Sequence, residues 1–229
     1  MKDIMIVTGG TSGLGLELVK QGLERGMFVC NIGRNREKID ELNQVFTENY
    51  QGFCGDVSDE DFMIDTIDEI KKLGEIKVLI NNAEKGIFKM PTEYTKSDVE
   101  ASFKGLQGMI IASTQTLKAT QEKDLKIVNI MSSAALRGNK QESVYCATKW
   151  GERGYTESLK AAYKGTSVKI IGVYPGGMNT DFYKKARDYV SEEKQNSFMN
   201  PADVADVIMQ NVFTKNNLTV ADIVIERNS

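Results

Sequence analysis

The chain has 229 residues, of which 41% are hydrophobic and 27% are charged, a composition typical of a folded globular protein. The formal net charge is −3 and the pI is near 5.3, so the charge does not indicate nucleic acid or a membrane as a partner. The cysteines have no CxxC spacing, so we expect reduced thiols, with neither a disulfide framework nor a metal site. Neither a secretory leader nor a membrane-spanning apolar run is found, and we therefore expect a cytoplasmic protein.

Short apolar runs alternate with longer amphipathic helical patterns along the chain. The predicted strands are residues 4–8, 28–32, 50–55, 77–81, 126–131, 167–174 and 218–225. Several of these runs are continuously apolar, which is typical of parallel strands buried on both faces. The alternation predicts an α/β protein, a doubly wound parallel sheet of right-handed βαβ units with helices on both faces. No linker or repeat is visible, so we expect residues 1–229 to form a single domain.

The turn after the first predicted strand is rich in glycine. Gly9, Gly13 and Gly15 lie between that strand and the first helical pattern. Glycine permits positive φ there and lets backbone N–H groups approach a pyrophosphate, and the helix that follows presents the positive end of its dipole. This context predicts a dinucleotide site, although a tight structural turn would use glycine in the same way.

The end of the second predicted strand bears on which dinucleotide is bound. NAD-selective proteins commonly place an acid there, whereas this chain has Gly33 followed by Arg34. The planar guanidinium of arginine suits a 2′-phosphate, because it makes charge-assisted and often bidentate hydrogen bonds. We therefore expect NADP(H), with NAD(H) as the second choice. The alternative is that Arg34 only begins a solvated basic helix.

A tyrosine and a lysine form the candidate proton-transfer pair. The chain contains no histidine, so acid–base chemistry near neutral pH needs another side chain. Tyr145 precedes Lys149 by four residues, which places both on one face of a helix. A nearby ammonium lowers the pKa of a phenol, ordinarily about 10, by roughly one to three units. We therefore expect Tyr145 to act as general acid or base, unless an amphipathic helix carries the two residues by chance.

Six short motifs define a resemblance. In chain order they are TGGTSGLG (8–15), DV (56–57), NNA (81–83), a serine in NIMSS (129–133), YCATK (145–149) and PGGMNT (175–180). Their order and spacing resemble those of the short-chain dehydrogenase/reductase family. The resemblance implies a Rossmann-like fold with a seven-stranded sheet in the order 3-2-1-4-5-6-7, and a nicotinamide cofactor. It also implies a homodimer or homotetramer built on helices 97–121 and 143–164.

The resemblance further implies roles for individual residues. Tyr145 falls on the family's catalytic tyrosine, Lys149 on its lysine, which also holds the nicotinamide ribose, and Ser132 on its serine, which hydrogen-bonds the substrate oxygen. With Arg34 added, the predicted cofactor residues are Gly9, Thr11, Ser12, Gly13, Leu14, Gly15, Arg34, Asp56, Val57, Asn82, Ala83, Tyr145, Lys149, Pro175, Gly176 and Thr180. A polar cap at a strand end is the structural alternative for the residues that follow strands.

Two positions depart from the family's pattern. Glu84 stands where members usually have glycine, and Gly105 aligns with an asparagine that anchors a water in a proton chain leading to the lysine. Glycine has no side chain for that task, and Gln107 projects to another side of its helix. We therefore expect a water to fill the space beside Gly105, and both departures count against rapid turnover.

The leading hypothesis is an NADP(H)-dependent oxidoreductase acting on a ketone, aldehyde or secondary alcohol. The alternative, which Glu84 and Gly105 favour, is a dinucleotide-binding sensor or scaffold with little or no turnover. A longer sugar-nucleotide epimerase is disfavoured, because such chains need an added substrate domain. Between residues 179 and 200 the apolar side chains predict a substrate lid, or else packing against the core; they are Phe182, Tyr183, Tyr189, Phe198 and Met199.

Overall fold

The computed structural model describes residues 1–184, 190–214 and 218–228. Its strands are β1 (Lys2–Thr8), β2 (Phe28–Gly33), β3 (Tyr50–Cys54), β4 (Gly74–Asn81), β5 (Lys126–Ile130), β6 (Lys169–Pro175) and β7 (Asp222–Ile225). Its helices are α1 (Gly13–Glu24), α2 (Arg36–Val45), α3 (Glu60–Leu73), α4 (Lys96–Ala119), α5 (Ser143–Ala162), α6 (Asp181–Lys184), α7 (Glu192–Asn196) and α8 (Pro201–Val212). None of the helices in these ranges is long and apolar enough to cross a membrane.

The strands of the described chain form one parallel sheet in the order β3-β2-β1-β4-β5-β6-β7, as predicted. Each stretch predicted as a strand contains one, although the last forms only over Asp222–Ile225. The central strand β1 pairs with β2 on one side and with β4 on the other. The strand order therefore reverses beside β1, and a ligand crevice is expected at the carboxyl ends of the strands there.

Successive residues of β1 face opposite layers of helices, because side chains alternate along a strand. Met5 and Val7 share an apolar cluster with residues of α1 and α8. Ile4 and Ile6 share a second cluster with residues of α3 and α4. These four side chains are fully buried, which explains why the sequence of β1 reads as a continuous apolar run. Helices therefore cover both faces of the sheet, as predicted.

Two substitutions of isoleucine test this core. We expect Ile6→Ala to lower the free energy of unfolding by about 2–5 kcal/mol, because it leaves a cavity beneath α3 and α4. Ile64→Ala on the outer side of α3, where the side chain is 39% exposed, is the matched control and should cost less than about 1 kcal/mol. Urea unfolding followed by circular dichroism measures both changes. Equal losses would contradict the assignment of Ile6 to the core.

Candidate active site

A cavity of about 430 Å³ opens at the carboxyl ends of the strands. It is lined by every residue predicted for the cofactor or for catalysis: Gly9, Thr11, Ser12, Gly13, Leu14, Gly15, Arg34, Asp56, Val57, Asn82, Ala83, Ser132, Tyr145, Lys149, Pro175, Gly176 and Thr180. Among the described residues, no group of three or more His, Cys, Asp or Glu side chains is arranged to hold a metal ion. Residues that are far apart in the chain therefore meet around one cavity.

The glycine turn, residues 9–15, forms part of the wall of this cavity. Gly9 and Gly13 have positive φ values of 72° and 53°, a conformation that favours glycine. A Cβ atom on Gly15 would lie only 2.3 Å from the carbonyl oxygen of Gly9, so the turn closes tightly onto the start of α1. Ser12, the N-cap of α1, makes no side-chain capping bond, which leaves backbone N–H groups of the first turn open to an anion.

Asn82 ties the end of β4 to this turn. Its Nδ2 donates to the carbonyl oxygens of Thr8, at 3.0 Å, and Gly9, at 3.2 Å. The Thr8 hydroxyl in turn accepts the backbone N–H groups of Asn82 and Ala83, both at 3.0 Å. Asn82 lines the cavity as expected. Its side-chain amide donates to the backbone at Thr8 and Gly9, so Asn82 stabilises the conformation of the glycine turn.

Beside the glycine turn, where Gly33 approaches Thr11, two basic side chains flank one carboxylate. Asp56 accepts two hydrogen bonds from Ser58, from the backbone N–H at 2.9 Å and the hydroxyl at 2.8 Å. Burial raises the pKa of Asp56, but the bonds from Ser58 and the charges of Lys104 and Arg34 outweigh burial and hold the pKa below its usual range. Arg34 is exposed at the rim, and Lys104, which the sequence analysis missed, lies 3.6 Å from Asp56 on the facing helix α4. Two cations are therefore available to an anionic group here.

Ser132 and Tyr145 lie together on the cavity wall. Ser132 ends the segment after β5, and its hydroxyl oxygen accepts the N–H of Ala134 at 3.1 Å. The Ser132 side chain lies close enough to Tyr145, in the first turn of α5, to lower the pKa of its hydroxyl. The ring of Tyr145 packs edge-on against Phe88, with 5.2 Å between the ring centroids. The serine and the tyrosine predicted to act together are thus neighbours on the cavity wall.

Lys149 is almost completely buried, with only 1% of its surface exposed. Its Nζ lies 5.5 Å from the centroid of the Tyr145 ring, on the same face of α5 as predicted. The ammonium donates to Glu84 Oε2 at 2.6 Å and to Glu152 Oε2 at 2.8 Å. The sequence analysis treated Glu84 only as a departure and did not consider Glu152, although Glu152 follows Lys149 by three residues on one helix, a spacing at which side chains meet.

The expected lowering of the Tyr145 pKa is not what the structure shows. Burial raises the pKa of Tyr145 by more than the Lys149 ammonium lowers it, and the charge of Glu84 raises it further. Burial has the opposite effect on Lys149, because it lowers the pKa of an ammonium. The charges of Glu152 and Glu84 outweigh burial and hold the pKa of Lys149 above its usual range. The prediction failed because the sequence shows the neighbouring ammonium but neither the burial of the phenol nor the two carboxylates that offset the ammonium.

The space beside Gly105 is filled by Glu84. A Cβ atom on Gly105 would lie 2.5 Å from each carboxylate oxygen of Glu84. The expectation of a water in this space is therefore wrong, because the carboxylate of a residue from the loop after β4 takes it. Gln107 turns away, as predicted, and its Nε2 donates to the carbonyl oxygen of Ser58 at 3.2 Å.

The segment predicted as a lid is only partly described, and Tyr189 lies outside the described residues. Phe182 and Tyr183 of α6 line the cavity and surround Phe88, with ring centroids 5.9 Å from it in both cases. Phe198 packs against Tyr183, whereas Met199 packs against the apolar cluster that contains Met5 and Val7. The first part of the segment thus faces the cavity, and Met199 belongs to the core.

Comparison with known proteins agrees with this geometry. The model of the short chain dehydrogenase family matches residues 3–191. The sepiapterin reductase of Chlorobaculum tepidum is 27% identical over 243 residues, covering 100% of this chain and 98% of that protein. A short-chain dehydrogenase/reductase from Vibrio parahaemolyticus superposes with a TM-score of 0.85 at 28% identity, covering 98% of this chain and 100% of that one. The structure of ElxO with NADP bound gives a TM-score of 0.86 at 27% identity, with 98% and 96% covered.

The family match spans far more than half of the chain and includes the glycine turn, Ser132, Tyr145 and Lys149. The sheet order agrees with the order that the six motifs implied. The chain therefore belongs to the short-chain dehydrogenase family and is an oxidoreductase.

Proposed function

We propose that the protein is an NADP(H)-dependent oxidoreductase that transfers hydride between nicotinamide and a carbonyl compound or secondary alcohol. The observation that carries the proposal is the meeting of Ser132, Tyr145 and Lys149 on the wall of a cavity that also contains the glycine turn. The absence of Cβ atoms at Gly9, Gly13 and Gly15 and the uncapped start of α1 fit a pyrophosphate. A nicotinamide dinucleotide, when bound, supplies or accepts the hydride.

Tyr145 carries the proton in this proposal. Because burial raises its pKa, the phenol is neutral near pH 7 and can act as general acid toward a carbonyl oxygen. The Ser132 hydroxyl donates a hydrogen bond to the same oxygen and stabilises the charge that develops on it. The Lys149 ammonium, 5.5 Å from the ring centroid, stabilises the phenolate that remains. A neutral phenol favours carbonyl reduction over alcohol oxidation, which needs the phenolate.

Two features of the cavity rim and one comparison support NADP(H) over NAD(H). Arg34 and Lys104 both line the cavity and provide two cations for a 2′-phosphate. An acid in place of Gly33 would have little room, because a Cβ atom there would lie 3.0 Å from Thr11 Cγ2. The NADP in the similar structure of ElxO agrees with this preference.

The substrate side of the cavity is aromatic. Phe88 and Tyr183 stack with 19° between their ring planes, and Phe182 meets Phe88 edge-on. Such a wall suits a carbonyl compound with a flat apolar group, because aromatic side chains bind rings through stacked and edge-on contacts. The related sepiapterin reductase is, by its name, a reductase, which agrees with the direction proposed here.

The sensor or scaffold alternative is not favoured. It rested on Glu84 and Gly105, which the structure places in contact with each other and, through Glu84, with Lys149. The relatives and similar structures reported above include a reductase and a dehydrogenase/reductase by name.

Replacing the tyrosine tests the proposed proton donor. We expect wild-type protein to oxidise NADPH with at least one member of a panel of aromatic and aliphatic ketones and aldehydes. Tyr145→Phe should lower kcat by about 100-fold or more, because general acid catalysis is lost, while NADPH still binds. Tyr163→Phe, at the end of the same helix, is the control and should keep its activity. Full activity of the Tyr145→Phe variant would contradict the assignment.

Cofactor preference is tested by removing one cation. Arg34→Ala should raise the KM for NADPH by about tenfold or more, because it removes charge-assisted hydrogen bonds to the 2′-phosphate, and should leave the KM for NADH nearly unchanged. Arg36→Ala, two residues further along, removes an exposed cation that does not line the cavity and serves as the control. Steady-state kinetics with both cofactors would show the difference. The same change for NADPH and NADH would argue against a 2′-phosphate site.

We also propose a homo-oligomer built on α4 and α5, close to the helices expected from the sequence. Val99, Phe103 and Ile110 expose 37–40% of their surface on one side of α4, and Trp150 of α5 is 50% exposed. Light scattering should give a multiple of 25.5 kDa, and Phe103→Glu should shift the mass toward the monomer. Val45→Glu, an exposed position on α2, is the control. Monomeric wild-type protein would refute this proposal.

A further inference from the structure

One lysine lies between two acids inside the protein. The Lys149 side chain is 2% exposed, Glu84 is 10% exposed and Glu152 is 1% exposed. Lys149 Nζ is within hydrogen-bond distance of both carboxyl groups. We call these three residues the buried charge cluster.

The charges of the cluster do not balance if all three groups are ionised. One ammonium and two carboxylates would leave a net negative charge in the interior, which is costly. Burial raises the pKa of Glu152 well above its usual range, the Lys149 ammonium lowers it, and the charge of Glu84 raises it again. Each carboxylate therefore makes the other harder to ionise. Glu84 makes the shorter contact with the ammonium, at 2.6 Å against 2.8 Å for Glu152.

The Glu84 carboxylate is held at both oxygens. Oε1 accepts the backbone N–H of Lys85 at 2.7 Å, and Oε2 accepts the Lys149 ammonium at 2.6 Å. Glycine at 105 makes this position available, because a Cβ atom there would collide with both oxygens at 2.5 Å. The acid at position 84 and the glycine at position 105 are therefore sterically coupled across 21 residues of sequence.

We propose that Glu84 is a positioning residue of the active site, which sits in the space left by Gly105, holds the Lys149 ammonium beside Tyr145, and offsets its charge. The consequence is a tyrosine that stays a neutral phenol and serves as an acid. This inference rests on the proposed reductase function. It gives one explanation for both departures from the family's pattern, Glu84 and Gly105.

The titratable groups around Tyr145 identify Glu84 as the negative charge that offsets Lys149. The titratable groups that face Tyr145 are Lys149 on its own helix, Glu84 from the loop after β4, and Tyr183 from α6. Burial raises the pKa of Tyr183 to about 12, so it is neutral over the working range. Glu152 also contacts Lys149, but it is not among the charged groups that act on Tyr145. Among the described groups, Glu84 is thus the carboxylate that acts on both Lys149 and Tyr145.

A double-mutant cycle tests the coupling. The four proteins are wild type, Glu84→Gly, Gly105→Asn and the double variant, which carries the pair of residues usual in the family. We expect each single variant to lose about tenfold or more in kcat/KM, because Gly105→Asn displaces the carboxylate and Glu84→Gly leaves Lys149 without it. The double variant should recover to within about threefold of wild type. Losses that simply multiply would overturn the proposal.

The isosteric variant Glu84→Gln separates positioning from simple packing and avoids the steric changes of the cycle. Without the anion, Lys149 lowers the pKa of Tyr145 more effectively, so phenolate forms at lower pH. The basic limb of the kcat profile for carbonyl reduction should therefore move down by about one pH unit or more. Glu157→Gln is the matched control, since Glu157 pairs with Lys160 on the same helix at 2.7 Å but is 52% exposed. An unmoved limb in Glu84→Gln would refute the role of its charge.

Binding of NADPH, measured by fluorescence on the same four proteins, distinguishes this inference from the function on which it rests. Absence of turnover in wild-type protein would refute the reductase proposal alone. The coupling would then still be supported by single variants that each bind NADPH about fivefold or more weaker while the double variant binds like wild type. Turnover by wild type with multiplicative losses in the cycle would refute the role of Glu84 and leave the reductase proposal standing.

Discussion

The candidate active site depends on one ion pair, between the Lys149 ammonium and the Glu84 carboxylate at 2.6 Å. An ammonium buried this deeply needs a partner, because desolvation of an isolated charge is costly. Glu84 supplies that partner, and Glu152 adds a hydrogen bond from the next turn of α5. Burial and the charge of Glu84 raise the pKa of Tyr145 by more than the ammonium lowers it, so the phenol keeps its proton near pH 7, as the proposed proton donor requires.

The fold brings these groups together from separate elements. Glu84 follows β4, Gly105 lies on α4, and Tyr145 and Lys149 lie on α5. Parallel strands end on the same edge of the sheet, so the loop after β4, the segment after β5 and the glycine turn after β1 all open into one cavity.

Much of this arrangement could be predicted from the sequence. Continuous apolar runs predict buried parallel strands, and the confirmed sheet order followed from the six motifs that resemble the family. The contact of Glu84 with Lys149 was beyond prediction, because 65 residues separate them and only tertiary packing brings them together. Glu152 could have been found from its spacing to Lys149. The predicted direction of the Tyr145 pKa shift was wrong, because burial and counter-charges are properties of the folded state that the sequence does not show.

The protonation state of Tyr145 is the most direct test of this account. Protein labelled with ¹³C at the Cζ atom of tyrosine would be followed by NMR, with Tyr145→Phe to assign the resonance. The account predicts a neutral phenol from pH 6 to about 10, the ordinary pKa of tyrosine, because burial and Glu84 together outweigh the lysine. A Tyr145 signal that moves to the phenolate position near pH 7–8 would contradict it.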